Sequence, residues 1–303
     1  MTTVDARTRR GFTLVEILVA LLILSIIGGG LVNLLLSQTR FAEKQMSSRN
    51  ARNVSRNAMN IMLTDLRMVQ DNGGLIGASN DSVAVRVPVA FGLYCGRVSG
   101  VNTRSLLPVD SAMTALGFYG GWASRDSTLE TYAYNDASSV VAFNSLPAGI
   151  ATTCTDSLIG PGISTVTFNG RTGKIVQTTD GPVGSPVPGW PVFVYQFVTY
   201  RFESSQAFPG RLGLFRKVKT GTNSSKIDEI IAPFDTAAKF RYYVLNADTA
   251  QWAPPASDSA SLNRVRGLQL YLAGASARTP QTSTNATTAA LVTGVFFKNR
   301  RDP

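Results

Sequence analysis

From Ile17 to Thr39 the chain carries no charged residue, and the residue just before that run is Glu16. The apolar run is long enough to cross a bilayer, which takes about 20 residues. Two ordinary readings of such a run fit poorly. A secretory signal peptide would have a shorter apolar core of about 7–15 residues with a small-x-small cleavage site after it. Here Gly28-Gly29-Gly30 is followed by more apolar sequence, Leu31 to Leu36. A plain membrane anchor explains the run but leaves Glu16 without a purpose. A carboxylate in a membrane helix costs about 2–3 kcal/mol near mid-bilayer and less at the interface, so its presence asks for a partner.

The ten residues before the run supply one. Residues 1–10 are short and polar, with Arg7, Arg9 and Arg10 against a single Asp5, and Gly11-Phe12 follows. A cut between Gly11 and Phe12 would create a positive amine about one helical turn ahead of Glu16. The carboxylate would then lie near the positive end of the helix dipole. In a bundle of such helices, Glu16 of one chain would neutralise the amine of its neighbour, and the pair would be satisfied only by assembly.

Arg9-Arg10-Gly11-Phe12-Thr13-Leu14-Val15-Glu16 and the apolar helix after it resemble the prepilin signal of type IV pilins and pseudopilins. The resemblance implies cleavage after Gly11 by a prepilin peptidase on the cytoplasmic side. It implies N-methylation of Phe12 and a role for Glu16 in docking each subunit into a growing filament. It also implies a single-pass inner-membrane precursor with a cytoplasmic N-terminus and a periplasmic head, later part of a periplasmic or surface filament. The implied partners are the peptidase, other pilins or pseudopilins and the inner-membrane assembly platform. Charge counting alone does not give this orientation, because Arg40, Lys44, Arg49, Arg52 and Arg56 outnumber the leader arginines.

Helical spacing continues past the membrane segment through Ala51, Val54, Ala58, Ile61, Met62, Leu66 and Val69, broken only by Asp65. The pattern predicts a helix from Phe12 to Asp71, stopped by Asn72-Gly73-Gly74, with residues 37–72 an amphipathic stretch entering the head. At 1.5 Å per residue such a helix is about 90 Å long, too long for one globule. Gly28 to Gly30 reads either as a soft point or as a site of close helix packing in the bilayer.

Beyond residue 73 the period changes to strands. Ser82–Val87 alternates, Val192–Phe202 is apolar on both faces and predicts a central strand, and 212–218, 238–245, 265–272 and 291–297 complete the set. Residues 95–139 and 144–162 read as irregular, part of a loop-rich lobe over 95–190. The expected organisation is leader 1–11, membrane helix 12–36, amphipathic helix 37–72 and a β-rich head 73–303. The fold class is α+β: a long N-terminal helix packed on an antiparallel sheet. Tyr195-x-Phe197-x-x-Tyr200-Arg201-Phe202, Leu214-Phe215-Arg216, Ile230-Ile231-Ala232, Phe240-Arg241-Tyr242-Tyr243, Val265-x-Gly267-Leu268-x-Leu270 and Val295-Phe296-Phe297-Lys298-Asn299-Arg300 are similar to PilW-type minor pilins and J-type pseudopilins of type II secretion. That similarity implies a minor subunit acting in filament initiation or at the tip. The alternative is a tip binding module for DNA uptake or adhesion.

Chemistry is sparse. The chain has no histidine, which removes His-based nucleophile arrangements and His metal sites. Gly170-Arg171-Thr172-Gly173-Lys174 is too short for a phosphate-binding loop and reads as a turn. No enzyme activity, cofactor or metal is expected. Asp126, Glu130, Asp136 and Asp156 match no calcium loop and read as turn caps. Cys95 and Cys154, both in the exported head, suggest a disulfide, against two unpaired thiols. Asn223-Ser224-Ser225 and Asn285-Ala286-Thr287 read as chance matches to the glycosylation pattern. The net charge of +10 is scattered, apart from Arg40 to Arg67 and Lys298, Arg300 and Arg301. Nucleic-acid contact is therefore allowed but unsupported. Trp122, Trp190 and Trp252 fit core filling better than a stacking surface.

Overall fold

The structure, a computed structural model, describes residues 13–97, 103–108, 120–126, 131–136, 154–156, 160–163, 167–168, 171–178, 186–245, 249–281 and 283–297. One helix, α1 (Leu14–Leu66), runs without interruption through Gly28–Gly30. Its 53 residues span about 80 Å. Only its C-terminal third is docked: Ala51, Ser55, Ala58, Met62 and Leu66 form one buried stripe at three-to-four spacing. The stripe is rotated from the expected one, with Ser55 taking the place of Val54, which is only partly buried.

The helix stops at Leu66, short of the expected Asp71. Met68 and Val69 donate to the carbonyls three residues back, Asp65 and Leu66, so the chain tightens out of the α-helix. That turn delivers Val69 into the core. The Asn72-Gly73-Gly74 stop then acts as a reversal: Gly73 has φ +76°, and its N–H donates to Asn263 Oδ1 at 2.9 Å. From there the chain enters β1 (Leu75–Ala78).

Of the fifteen described strands, thirteen form one sheet with antiparallel pairings and the other two pair with each other. The centre of the large sheet is β10 (Pro191–Ser204), as the two-faced apolar pattern predicted. One side of β10 pairs with β2 (Ser82–Arg97), from Pro191↔Leu93 to Arg201↔Ser82. The other side is shared: Val192–Gln196 pair with β4 (Gly120–Arg125), and Val198–Ser204 with β11 (Leu212–Lys219). Beyond β11 come β12 (Ser225–Phe234), β14 (Val265–Ala275) and β13 (Lys239–Val244), with β15 (Thr288–Phe296) on the far side of β14.

The core lies between this sheet and the docked part of α1. Ala58, Met62 and Leu66 meet Val83, Val85, Tyr200, Phe202, Leu268, Leu270 and Leu272. Phe202 packs against Phe234 and Phe240, with ring centroids 5.3 and 5.2 Å away. A four-residue helix, α2 (Ser259–Leu262), capped by Asp258, seats Leu262 in the same core.

The sequence reading of 95–139 and 144–162 as irregular needs correction. Their described parts are strands: the end of β2, β3 (Thr103–Pro108), β4, β5 (Tyr132–Asn135), β6 (Cys154–Asp156) and part of β7 (Gly160–Ile163). Further on, β9 (Arg171–Thr178) lengthens the sheet beyond β3, and β8 (Thr167–Phe168) pairs with β9. Gly-Gly-Trp-Ala-Ser-Arg in β4 carries too little alternation to read as a strand, yet it pairs with β10 and β5. β12 lacks a strand signature for a similar reason, since Lys226, Asp228, Glu229 and Pro233 mask its period.

Candidate assembly site on the N-terminal helix

At the helix start, Thr13 and Glu16 form a reciprocal cap. The Glu16 N–H donates to Thr13 Oγ1 at 3.3 Å, and the Thr13 N–H donates to Glu16 Oε2 at 3.5 Å. This satisfies two of the orphan donors at a helix N-terminus and sets a negative group at the positive end of the dipole. The second bond is long and Glu16 is exposed, so the carboxylate keeps capacity for a stronger partner. Gly11 and Phe12 lie outside the described residues.

Above Glu16 the helix is apolar on every side. Ile17, Leu18, Val19, Leu21, Leu22, Ile23 and Leu24 are each more than half exposed, and successive residues at 100° steps leave no polar face. A single chain in water would leave about 1.5–3 kcal/mol of burial unrealised at each of these side chains. The hydroxyls in the run are already satisfied within the helix: Ser25 donates to the Leu22 carbonyl at 2.8 Å, Ser37 to Leu34 at 2.9 Å and Thr39 to Leu35 at 3.0 Å. Internal satisfaction of polar groups is what a hydrocarbon environment demands. The 18-residue window that meets the length and composition of a membrane span is wholly unburied. Charge returns at Arg40.

Residues 6–32 match the family description prokaryotic N-terminal methylation motif. This is a type IV pilin-like precursor signal. The motif indicates processing by a prepilin peptidase, membrane anchoring through a single N-terminal helix and assembly with other pilins, and it points to a structural subunit. No curated protein and no solved structure matches the chain.

Where α1 reaches the head, two polar contacts fix it. The Ser55 hydroxyl donates to the Leu272 carbonyl, with oxygens 3.0 Å apart, lies 3.1 Å from the Ala289 carbonyl, and accepts from the Gly274 N–H at 3.0 Å. Gly274 is required for this approach, because a Cβ there would collide with the Ala51 carbonyl and Ser55. Near the other end of the docked part, Asp65 explains the break in the apolar stripe. It accepts from the buried Tyr200 hydroxyl at 2.6 Å and from Arg216 at 3.0 and 3.2 Å. The Tyr200 phenol is pushed well above its ordinary range by burial and by the Asp65 charge. Burial works against the Arg216 cation, but Asp65 and Tyr200 outweigh it and raise its pKa.

The remaining candidates disperse. Asp136 is an anchor and not a turn cap: it is paired with Arg86 and accepts from the Tyr195 hydroxyl at 2.5 Å. Arg86 also donates to the Gly73 carbonyl, and Tyr134 Oη donates to the Asn72 carbonyl at 2.7 Å, so β5 is tied to the turn after α1. Asp126 lies just after β4, Glu130 lies outside the described residues, and Asp156 is known only by its strand. Among the described residues no acidic cluster suited to a metal occurs. Cys95 and Cys154 sit on β2 and β6, strands that lie against each other; their side chains are outside the described set. Trp122 is buried as expected, but Trp252 is 43% exposed, with Lys239 Nζ 4.7 Å and Arg241 Cζ 2.9 Å from its ring centroid. Position alone did not reveal that cation-flanked indole, because Trp252 lies in a loop beside β13 and not in a strand.

Proposed function

We propose that this chain is a minor pilin or pseudopilin of a type IV pilus or type II secretion-type filament. It is processed between Gly11 and Phe12, methylated on Phe12, and inserted with its head in the periplasm. The observation that carries the reading is the bare apolar helix headed by one carboxylate and preceded by Arg9-Arg10-Gly11-Phe12. Such a helix buries its surface either in lipid or among copies of itself, and Glu16 gains a full partner only in the second case. The large head favours a place at the tip or in initiation over a shaft role, since a repeating shaft subunit has to pack around every turn.

Intact-mass and N-terminal analysis of the chain in sheared filaments and in washed membranes tests this. A chain beginning at methylated Phe12 and present sparsely in filaments is the expected result. Processed chain confined to membranes would favour the secretion or primer role. Unprocessed chain in the presence of active peptidase would overturn the reading. The same spectra, taken without reductant, test the Cys95–Cys154 disulfide, which we expect and which two free thiols would disprove. The alternative of a tip binding module draws on Trp252 and its flanking Lys239 and Arg241. A salt-dependent gel shift with single-stranded DNA, lost in Trp252→Ala, would support it.

A further inference from the structure

Among the described residues several strands of the sheet pair on one side only, and the open edges of β12 and β15 are guarded differently. β12 pairs with β11 from Ser225 to Phe234, but on its other side only Phe234 reaches β14, opposite Gly274. The free stretch carries Lys226 and Asp228, exposed and 3.0 Å apart, which is how native sheets discourage unwanted pairing. β15 is the outermost strand beyond β14, and among the described residues no strand pairs its other side.

Two hydrogen bonds fix which groups on β15 face outward. Ser276 N–H donates to the Thr287 carbonyl at 2.8 Å, and Phe297 N–H donates to the Arg266 carbonyl at 2.9 Å. Both pairs are in the register of the β14–β15 ladder, in which hydrogen-bonded and non-bonded pairs alternate. Ala289, Leu291, Thr293 and Val295 therefore bond inward to β14. Thr288, Ala290, Val292, Gly294 and Phe296 turn their N–H and C=O groups outward, and all five are exposed. None is charged and none is proline. Val292 and Phe296 add apolar side chains that are 50% and 62% exposed. A long, unguarded, apolar edge is a hazard in a protein that works alone.

We propose that β15 is a docking edge for an extended strand of a different, less basic filament subunit. A row of alternating N–H and C=O groups at strand spacing is matched by another extended chain. The net charge of +10, which stays at about +8 once Asp5, Arg7, Arg9 and Arg10 leave with the leader, opposes placing a second copy beside it. The edge also lies where α1 leaves the head, since Ser55 touches the Ala289 carbonyl. Helices bundled in a filament would bring a neighbouring head to that side. The proposal rests on the assembly reading above, and the test separates the two.

A photo-crosslinking residue is placed at Val292, at Ile227 on the guarded edge as control, and at Leu21 in the bare helix, each in the full chain in filament-producing cells. The expected result is a discrete adduct from position 292 to one other pilin-like subunit, at least about 10-fold above the Ile227 signal. Val292→Lys, a charged guard on an exposed side chain, should cut co-purification of that subunit at least about 10-fold with the thermal midpoint unchanged. An adduct of twice the chain's own mass, or wild-type co-purification by the lysine variant, overturns the proposal. An adduct from Leu21 without one from 292 also overturns it and leaves the assembly reading standing. No adduct from either position overturns both.

Discussion

The two parts of α1 are one continuous helix with opposite solutions to the same problem. Residues 14–46 carry large apolar side chains in every direction and bury none of them against the head. Residues 51–66 concentrate burial in one stripe of small and medium side chains and turn Arg52, Asn53, Arg56, Asn57 and Asn60 outward. The docked part is finished within its own chain: Ser55 and Asp65 have their hydrogen bonds, and Met62 and Leu66 have no exposed surface left. The bare part is unfinished, and Glu16 is its only ionised group before Arg40. A helix that is complete at one end and incomplete at the other is suited to carrying a stable head into a structure made by many chains.

The largest expected effect breaks assembly without touching the head. Glu16→Val removes the carboxylate and the side-chain half of the cap, in a part of the helix that contacts nothing in the head. The chain should still be cut and should keep its thermal midpoint in detergent, while its amount in sheared filaments falls at least about 10-fold, as the loss of a desolvated charge pair would produce. Quantitative blotting of filament and membrane fractions checks this. Unchanged incorporation would show that the bare helix needs only its apolar surface.

The converse change should break the docked part. Gly274→Val forces a side chain against the Ala51 carbonyl and Ser55, where backbone has to move, and should cost about 3 kcal/mol or more. Ser55→Ala sharpens the comparison. It keeps the close approach but strips a partner from the Gly274 N–H and the Leu272 carbonyl, at about 1–3 kcal/mol. Urea unfolding of the full chain in detergent should rank glycine above serine. The reverse ranking would mean that the polar contact, and not the close approach, holds the helix.

These two parts of α1 were not equally legible. The bare part could be read residue by residue, because a signal, an uncharged run and a misplaced glutamate each have few physical explanations. The docked part was legible as a helix but not in its rotation. Hydropathy places Val54 and not Ser55 on the stripe, because it does not register a hydroxyl whose bonds lie 217 and 219 residues away. Asp65 looked like a break because its partners, Tyr200 and Arg216, come from β10 and β11. In the sheet, β10 announced itself through two apolar faces. β4 and β12 did not, since one is rich in glycine and the other in charge, and both are strands because of what they pair with.

A smaller effect is expected at Asp65. Asp65→Asn keeps an acceptor for Tyr200 but removes the charge facing Arg216. Because the two side chains are 18% and 30% exposed, solvent screens part of the pair. The loss should be about 1–2 kcal/mol, less than for either change at the Gly274 end if the close approach dominates. Double-mutant analysis with Arg216→Met checks it: a coupling near zero would assign Asp65 to Tyr200 alone.

The smallest effect separates the docked helix from the turn that follows it. Burial disfavours the Asp136 carboxylate, but hydrogen bonds from Arg86 and Tyr195 and the Arg86 charge outweigh that and hold its pKa below the ordinary carboxylate value. The folded state therefore binds this proton less tightly than the unfolded chain does. The stabilisation is present above the unfolded value, about 3.9, and is lost as pH falls through the lower folded value. Because Asp136 is 45% exposed, the effect should be about 1 kcal/mol or less. The measurement is the difference in thermal midpoint between wild type and Asp136→Asn, followed from pH 6 downward. It should shrink as the wild-type carboxylate takes up its proton, while the penalty of Ser55→Ala, which carries no titrating group, stays constant over the same range. If both differences were to fall together, the tie from Asp136 through Arg86 to the Gly73 turn and the helix dock would be one cooperative unit, and the two ends of the docked segment could not be treated as independent contacts.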